Sequence, residues 1–144
     1  MQYKRVLIAI DDSPHSLRAA EKGFELAIAL GAEIGVAYII DIMNEPVIPE
    51  TGLVSNDQQI ASSTKANKVI DKLLKRFPKS GEVTRFTQEG FPKNEIVLIA
   101  KDWGADLIVM GTHGRSGLSY LLLGSVSEYV IKHAHVPVMV VPLK

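Results

Sequence analysis

Cysteine is absent from this 144-residue chain, which excludes disulfides, thiol catalysis and cysteine-ligated metal and fits a reducing compartment. No charge of one sign prevails: sixteen Lys and Arg face sixteen Asp and Glu, and like charges form no run. Nucleic acid and membrane surfaces are therefore not expected partners, since both are bound through bulk charge. Long apolar runs are missing too. Met1 to Arg5 precedes only five apolar residues before Asp11, too few for a secretory core or a membrane span, so a cytoplasmic location is expected. There is no Gly-Lys pair, which removes the G-x4-G-K-[ST] phosphate loop and its lysine. His15, His133 and His135 have no acidic or histidine partner at a ligand spacing on their own elements, so no metal site is read from them. No internal repeat or low-complexity tract occurs.

What is present suits one domain over residues 1–144: 47% of residues are hydrophobic, enough for a sizeable core without a covalent staple. Val6 to Ile10 has the length and β-branching of a buried strand, closed by Asp11-Asp12-Ser13-Pro14. Ser13 as N-cap with Pro14 behind it starts a helix, Leu17, Ala20, Phe24, Ala27 and Ile28 keep its spacing, and Gly31 ends it. Ile34 to Ile40 is a second apolar run, so strand, helix and strand make a right-handed crossover between parallel strands. Asp41 to Asn56, with Pro46, Pro49 and Gly52, is long for a connection and is either a lid, at the same sheet edge as the first turn, or a disordered excursion. A helix over Asp57–Phe77 follows, with Ile60, Val69, Ile70, Leu73, Leu74 and Phe77 as its apolar face and its lysines as a solvated one. Glu82 to Thr87 reads as a half-exposed strand. Ile96, Ile99, Ala100 and Trp103 mark a helix after Gly90-Phe91-Pro92, ended by Gly104, with Trp103 in the core. Val136 to Val141 is the last strand. Strands alternating with helices specify an α/β fold, a five-stranded open parallel sheet covered on both faces.

The stretch with most chemistry in it joins the fourth strand to the last helix. Asp106 to Met110 is a buried-strand sequence, and Gly111-Thr112-His113-Gly114, nine residues, then Gly124-Ser125 follow it. Ser125-Val126-Ser127-Glu128 has the S-x-x-E form of a capping box, so a helix is expected from Ser125 to about Ala134. A helix start offers N–H groups and partial positive charge, and glycines let a phosphate approach the backbone. The same glycines also serve as plain turn and cap residues, so both readings stand at this point. In doubly wound sheets the ligand lies beyond the carboxyl ends of the strands, where the winding reverses. With strand one beside strand four, Asp11 flanks that crevice, either accepting hydrogen bonds from a ribose or base, or capping its own turn. Leu121-Leu122-Leu123 within the loop is expected to be core.

Asp11-Asp12-Ser13, Gly90-Phe91-Pro92, Ala105 to Gly111 and Gly111-x2-Gly114-x9-Gly124-Ser125 together resemble the universal stress protein family across essentially the whole chain, in the branch that binds ATP. The resemblance implies a Rossmann-like parallel sheet ordered 3-2-1-4-5, a homodimer through the last strand, Val136–Val141, and a stress-response role with a further protein partner. It implies ATP as the ligand, with AMP or ADP as candidates and Mg2+ as companion. By resemblance Asp11 would bind the adenosine side with Ala9 beneath it, and Ile39 would offer backbone groups to adenine. Gly111 and Gly114 would shape the loop, with Met110, His113 and Arg115 alongside, and Gly124, Ser125, Val126 and Ser127 would give N–H and hydroxyl groups to phosphates. Asp12 stands where the family often has glycine, and Tyr38 where it often has histidine. The last strand is also too apolar to leave bare at a sheet edge.

Fast phosphoryl transfer needs placed metal ligands and a base or water-orienting group. Asp11 and Asp12 with a divalent ion, and His113 as base, are the available candidates, and each has a simpler role in a turn or loop. A nucleotide-loaded binding module is therefore expected ahead of a slow ATPase or phosphotransferase, with a nucleotide-free interaction dimer as the third alternative.

Overall fold

A computed structural model of the chain describes residues 2–43, 56–112 and 123–142. Its central strand β1 (Arg5–Ile10) is buried over Val6–Ile10 because it has a strand on each side and a helix layer on each face. After β1 come α1 (Pro14–Leu30), β2 (Glu33–Tyr38), a two-residue β3 (Ile40–Asp41), α2 (Asn56–Lys75) and β4 (Val83–Phe86). A two-residue β5 (Glu89–Gly90), α3 (Pro92–Trp103), β6 (Leu107–Gly111), α4 (Ser125–His133) and β7 (Val138–Val141) complete the chain. The main sheet runs β4-β2-β1-β6-β7 with every pair parallel. Numbered among these five strands alone, the order is 3-2-1-4-5. The pair β3–β5 forms a second, two-stranded parallel sheet that the sequence reading did not contain.

Alternation along β1 sorts the two cores. Val6, Ile8 and Ile10 meet Phe24 and Ala27 of α1 and Ile70 and Leu73 of α2, whereas Leu7 and Ala9 meet Ile96 and Ile99 of α3 and Val130 of α4. Thus the chain leaves β1 toward one face and β6 toward the other, and the winding reverses between these neighbours. Ser13 caps α1 with Pro14 behind it, and α1 and α3 end on Gly31 and Gly104, as the sequence indicates.

Three local expectations are corrected. Ile60 is 65% exposed, because complete burial on α2 begins only at Ala66. Leu123 is 46% exposed and not core, because it is the last residue before the N-cap of α4, above the sheet edge. The capping box is not formed: Gly124 is the N-cap (φ −70°, ψ 161°) and Ser125 already lies within the helix. The serine and glutamate of the pattern are one place too late for reciprocal capping, and Glu128 pairs instead with Lys132 at 3.0 Å. Trp103 packs as expected against the core, edge-on to Phe86, with the Arg5 guanidinium 5.6 Å above its ring. Residues 44–55, where a lid or an excursion is expected, and Leu121 and Leu122 lie outside the described residues. Among the described residues no helix is long and apolar enough to cross a membrane.

Candidate functional site

The β1 turn is built by three short polar side chains. Asp11 Oδ1 accepts the Ser13 N–H at 2.7 Å, an Asx turn, and the Asp11 N–H donates to Ser16 Oγ at 2.6 Å. Ser13 Oγ in turn accepts the Ser16 N–H at 3.2 Å. Both serines are buried, so the turn is fixed from beneath. The turn-capping role open to Asp11 is therefore filled by one carboxylate oxygen, and among the described residues Oδ2 takes no hydrogen bond. Ser16 was missed in the sequence; its signal was a hydroxyl three residues past the N-cap, on the helix face turned back toward the strand. Asp12 Oδ2 lies 2.9 Å from Lys65 Nζ on α2.

Across the crevice, β6 ends at Gly111 and the N-cap of α4 comes back to the same point. Gly124 N–H donates to Thr112 O at 2.7 Å, and the buried Ser127 hydroxyl reaches Gly111 O at 2.7 Å and Thr112 O at 2.9 Å. Strand end and helix start are thereby stapled, so whatever lies between them begins and ends at one place. The first intrahelical bond of α4 is Glu128 N–H to Gly124 O. The N–H groups of Ser125, Val126 and Ser127 precede it and point out of the helix end, where the backbone dipoles favour an anion. Ser127's hydroxyl proton is directed to the carbonyls, which leaves its backbone N–H as its donor toward the crevice.

The β1–β6 register pairs Ile8 with Val109; continued along both strands, it sets Asp11 level with Thr112. Asp11, Gly111 and the Gly124–Ser127 turn thus meet at the winding reversal. Ala9, Ile39 and Met110 gather in the apolar cluster below it, on the α3 and α4 face. Ile39 is the residue between β2 and β3, and β3 is held outward by Ile40 N–H to Gln88 O at 2.9 Å. His113, Gly114 and Arg115 lie outside the described residues.

Among the described residues no three His, Asp or Glu side chains are grouped to hold a metal. In the turn, Asp12 Oδ2 is paired with Lys65 and Asp11 Oδ1 with the Ser13 N–H.

The family model for the universal stress protein family matches residues 2–142. Universal stress protein MJ0531 of Methanocaldococcus jannaschii is 40% identical over 144 residues, covering 96% of this chain and 82% of that protein. The solved structure of protein MJ0577 from the same organism has a TM-score of 0.84 at 31% identity, covering 98% of this chain and 96% of the other. A universal stress protein solved in complex with cAMP has a TM-score of 0.72 at 22% identity over the whole of both chains, a likeness of fold.

Proposed function

The chain belongs to the universal stress protein family, and on that premise we propose that it is an ATP-binding, homodimeric stress-response module. The observation that carries the reading is the staple at the winding reversal: Gly124 and Ser127 hold the Gly111–Thr112 strand end against the α4 N-terminus, on the strand beside the one that ends at Asp11. In this reading Ser125, Val126 and Ser127 bind phosphate oxygens through backbone N–H groups, and Gly124 keeps their approach clear of a Cβ. Asp11 Oδ2 accepts from the ribose or base, and Ala9, Ile39 and Met110 form the apolar floor. Gly111 shapes the start of the loop, and Gly114, with His113 and Arg115 alongside, completes it around the phosphates. The family resemblance supports ATP in particular, and the fold relative solved with cAMP supports an adenine nucleotide. Mg2+ would enter with the triphosphate and neutralise its oxygens, with Asp11 as the carboxylate of the turn nearest to it.

A slow ATPase using Asp11 and Asp12 with a divalent ion has less support, since Asp12 is paired with Lys65. Phosphoryl transfer also needs groups that position metal and nucleophile.

The deciding experiment denatures freshly purified protein, identifies any released small molecule by mass spectrometry, and titrates the protein with ATP and Mg2+. Retained or titratable ATP is expected, with AMP and ADP competing for the same site. A bulky side chain in the loop, Gly114→Leu, should lower ATP affinity at least about a hundredfold, since a handful of lost backbone hydrogen bonds to charged groups accounts for that much. Unchanged affinity in that variant would remove the phosphate assignment. Release of phosphate from ATP, lost in Asp11→Asn while binding persists, would favour the enzyme; no binding at millimolar ATP would leave an interaction dimer.

A further inference from the structure

The crevice has an electrostatic problem that the fold answers from a distant element. Its β1 turn carries two consecutive acids, Asp11 and Asp12, while the α4 N-terminus offers roughly half a positive charge. A polyphosphate entering there would meet more negative than positive charge from these two elements. Among the described residues Lys65 stands against this acidic pair, with its Nζ 2.9 Å from Asp12 Oδ2. The geometry also sets direction. Lys65 belongs to α2, whose Ile70 and Leu73 pack in the same core as α1, whereas Val130 of α4 packs on the opposite face of the sheet. Pairing with Lys65 therefore draws the Asp12 carboxylate toward the α1 and α2 face, away from the helix start where phosphates would lie.

We infer that Lys65 is a specificity-determining positioning residue: by pairing with Asp12 it makes the crevice select phosphorylated nucleotides over the bare nucleoside. The inference rests on the nucleotide reading above.

The pair is half-exposed, with side-chain exposures of 58% for Lys65 and 34% for Asp12, so it adds little to folding and Lys65→Gln should fold normally. The test is calorimetric titration of wild type and variants with Mg-ATP and, separately, with adenosine, at low and high salt. Lys65→Gln should weaken ATP about three- to tenfold at low salt, less at high salt, and leave adenosine unchanged, as expected for one screened unit charge. Lys65→Arg should retain wild-type affinity, and the double variant Lys65→Gln/Asp12→Asn should recover it by removing the charge that needed compensation. Equal losses for ATP and adenosine, or no loss for ATP, would overturn the role of Lys65 while leaving the nucleotide site standing. A wild type that binds neither ligand overturns the nucleotide reading itself, and this inference with it.

Discussion

Ser127 has one hydroxyl proton and two carbonyl oxygens within 2.9 Å of it, both belonging to the strand end it closes upon. The resemblance implies N–H and hydroxyl groups from Gly124 to Ser127 for phosphates, and the contacts of the Ser127 hydroxyl make it the clamp between β6 and α4. Ser127→Ala should cost about 1–3 kcal/mol in urea unfolding, because it removes the hydroxyl donor from the buried Gly111 carbonyl, while Thr112 O keeps the Gly124 N–H. The same change should weaken ATP about tenfold by loosening Gly111 and Thr112, and Ser127→Thr should restore much of both. An alanine variant with wild-type stability would show the clamp to be idle. The identity of such residues was legible in the sequence, whereas the direction of their hydroxyls was not. A serine one place into a helix and one at its cap differ by a single residue of register, and here Gly124 takes the cap. Ser16 went unread for a related reason, as its partner is the backbone of Asp11 and not another side chain.

The main strands and helices announced themselves by periodicity and by their proline and glycine boundaries, and five parallel strands wound in both directions followed from them. The small β3–β5 sheet had no such signal: two residues on each side have no period, and their pairing joins segments far apart in sequence. Yet it fixes the backbone beside Ile39. Gly90 sits there at φ +156°, and a Cβ on it would come within 2.5 Å of Glu95 Cγ at the start of α3. Glu95 is itself held by Gln88 at 3.0 Å, so it has little room to yield. Gly90→Ala should strain this turn by about 1–3 kcal/mol and loosen the second sheet without unfolding the first. The expected readout is faster amide exchange at Ile40 and Ile42, whose N–H groups bond to Gln88 O and Gly90 O, with unchanged protection in β1 and β6. Uniform loss of protection would mean that the two sheets unfold as one unit. Weaker adenosine binding in the same variant would tie the small sheet to the position of Ile39.

An open sheet has two edges, and they differ in how they are guarded. On β4, Arg85 is paired with Asp71 and bonded to Asn67, and Thr84 is exposed, the charged and polar dress that discourages another strand. On β7, Val138-Met139-Val140-Val141 carries no charge, and Met139 is 37% exposed. A shallow groove beside it is lined by Leu26 and Pro142 together with the charged Lys22 and Glu25 of α1. If the proposed dimer forms through a sheet edge, β7 is the edge that suits it. A strand that pairs with its own copy about a two-fold axis must do so antiparallel, because the two copies exchange ends under the rotation. A lysine at the centre of such a strand meets its own image or a near neighbour across the axis, so the penalty is counted twice. Met139→Lys should accordingly shift light-scattering mass from dimer to monomer at micromolar concentration, while Thr84→Lys on the other edge leaves the dimer intact. ATP affinity should survive in the Met139→Lys monomer, since the crevice between β1 and β6 lies within one chain. If binding disappears together with the dimer, the partner copy completes the site; if neither substitution changes the mass, the apolar edge is covered within the single chain.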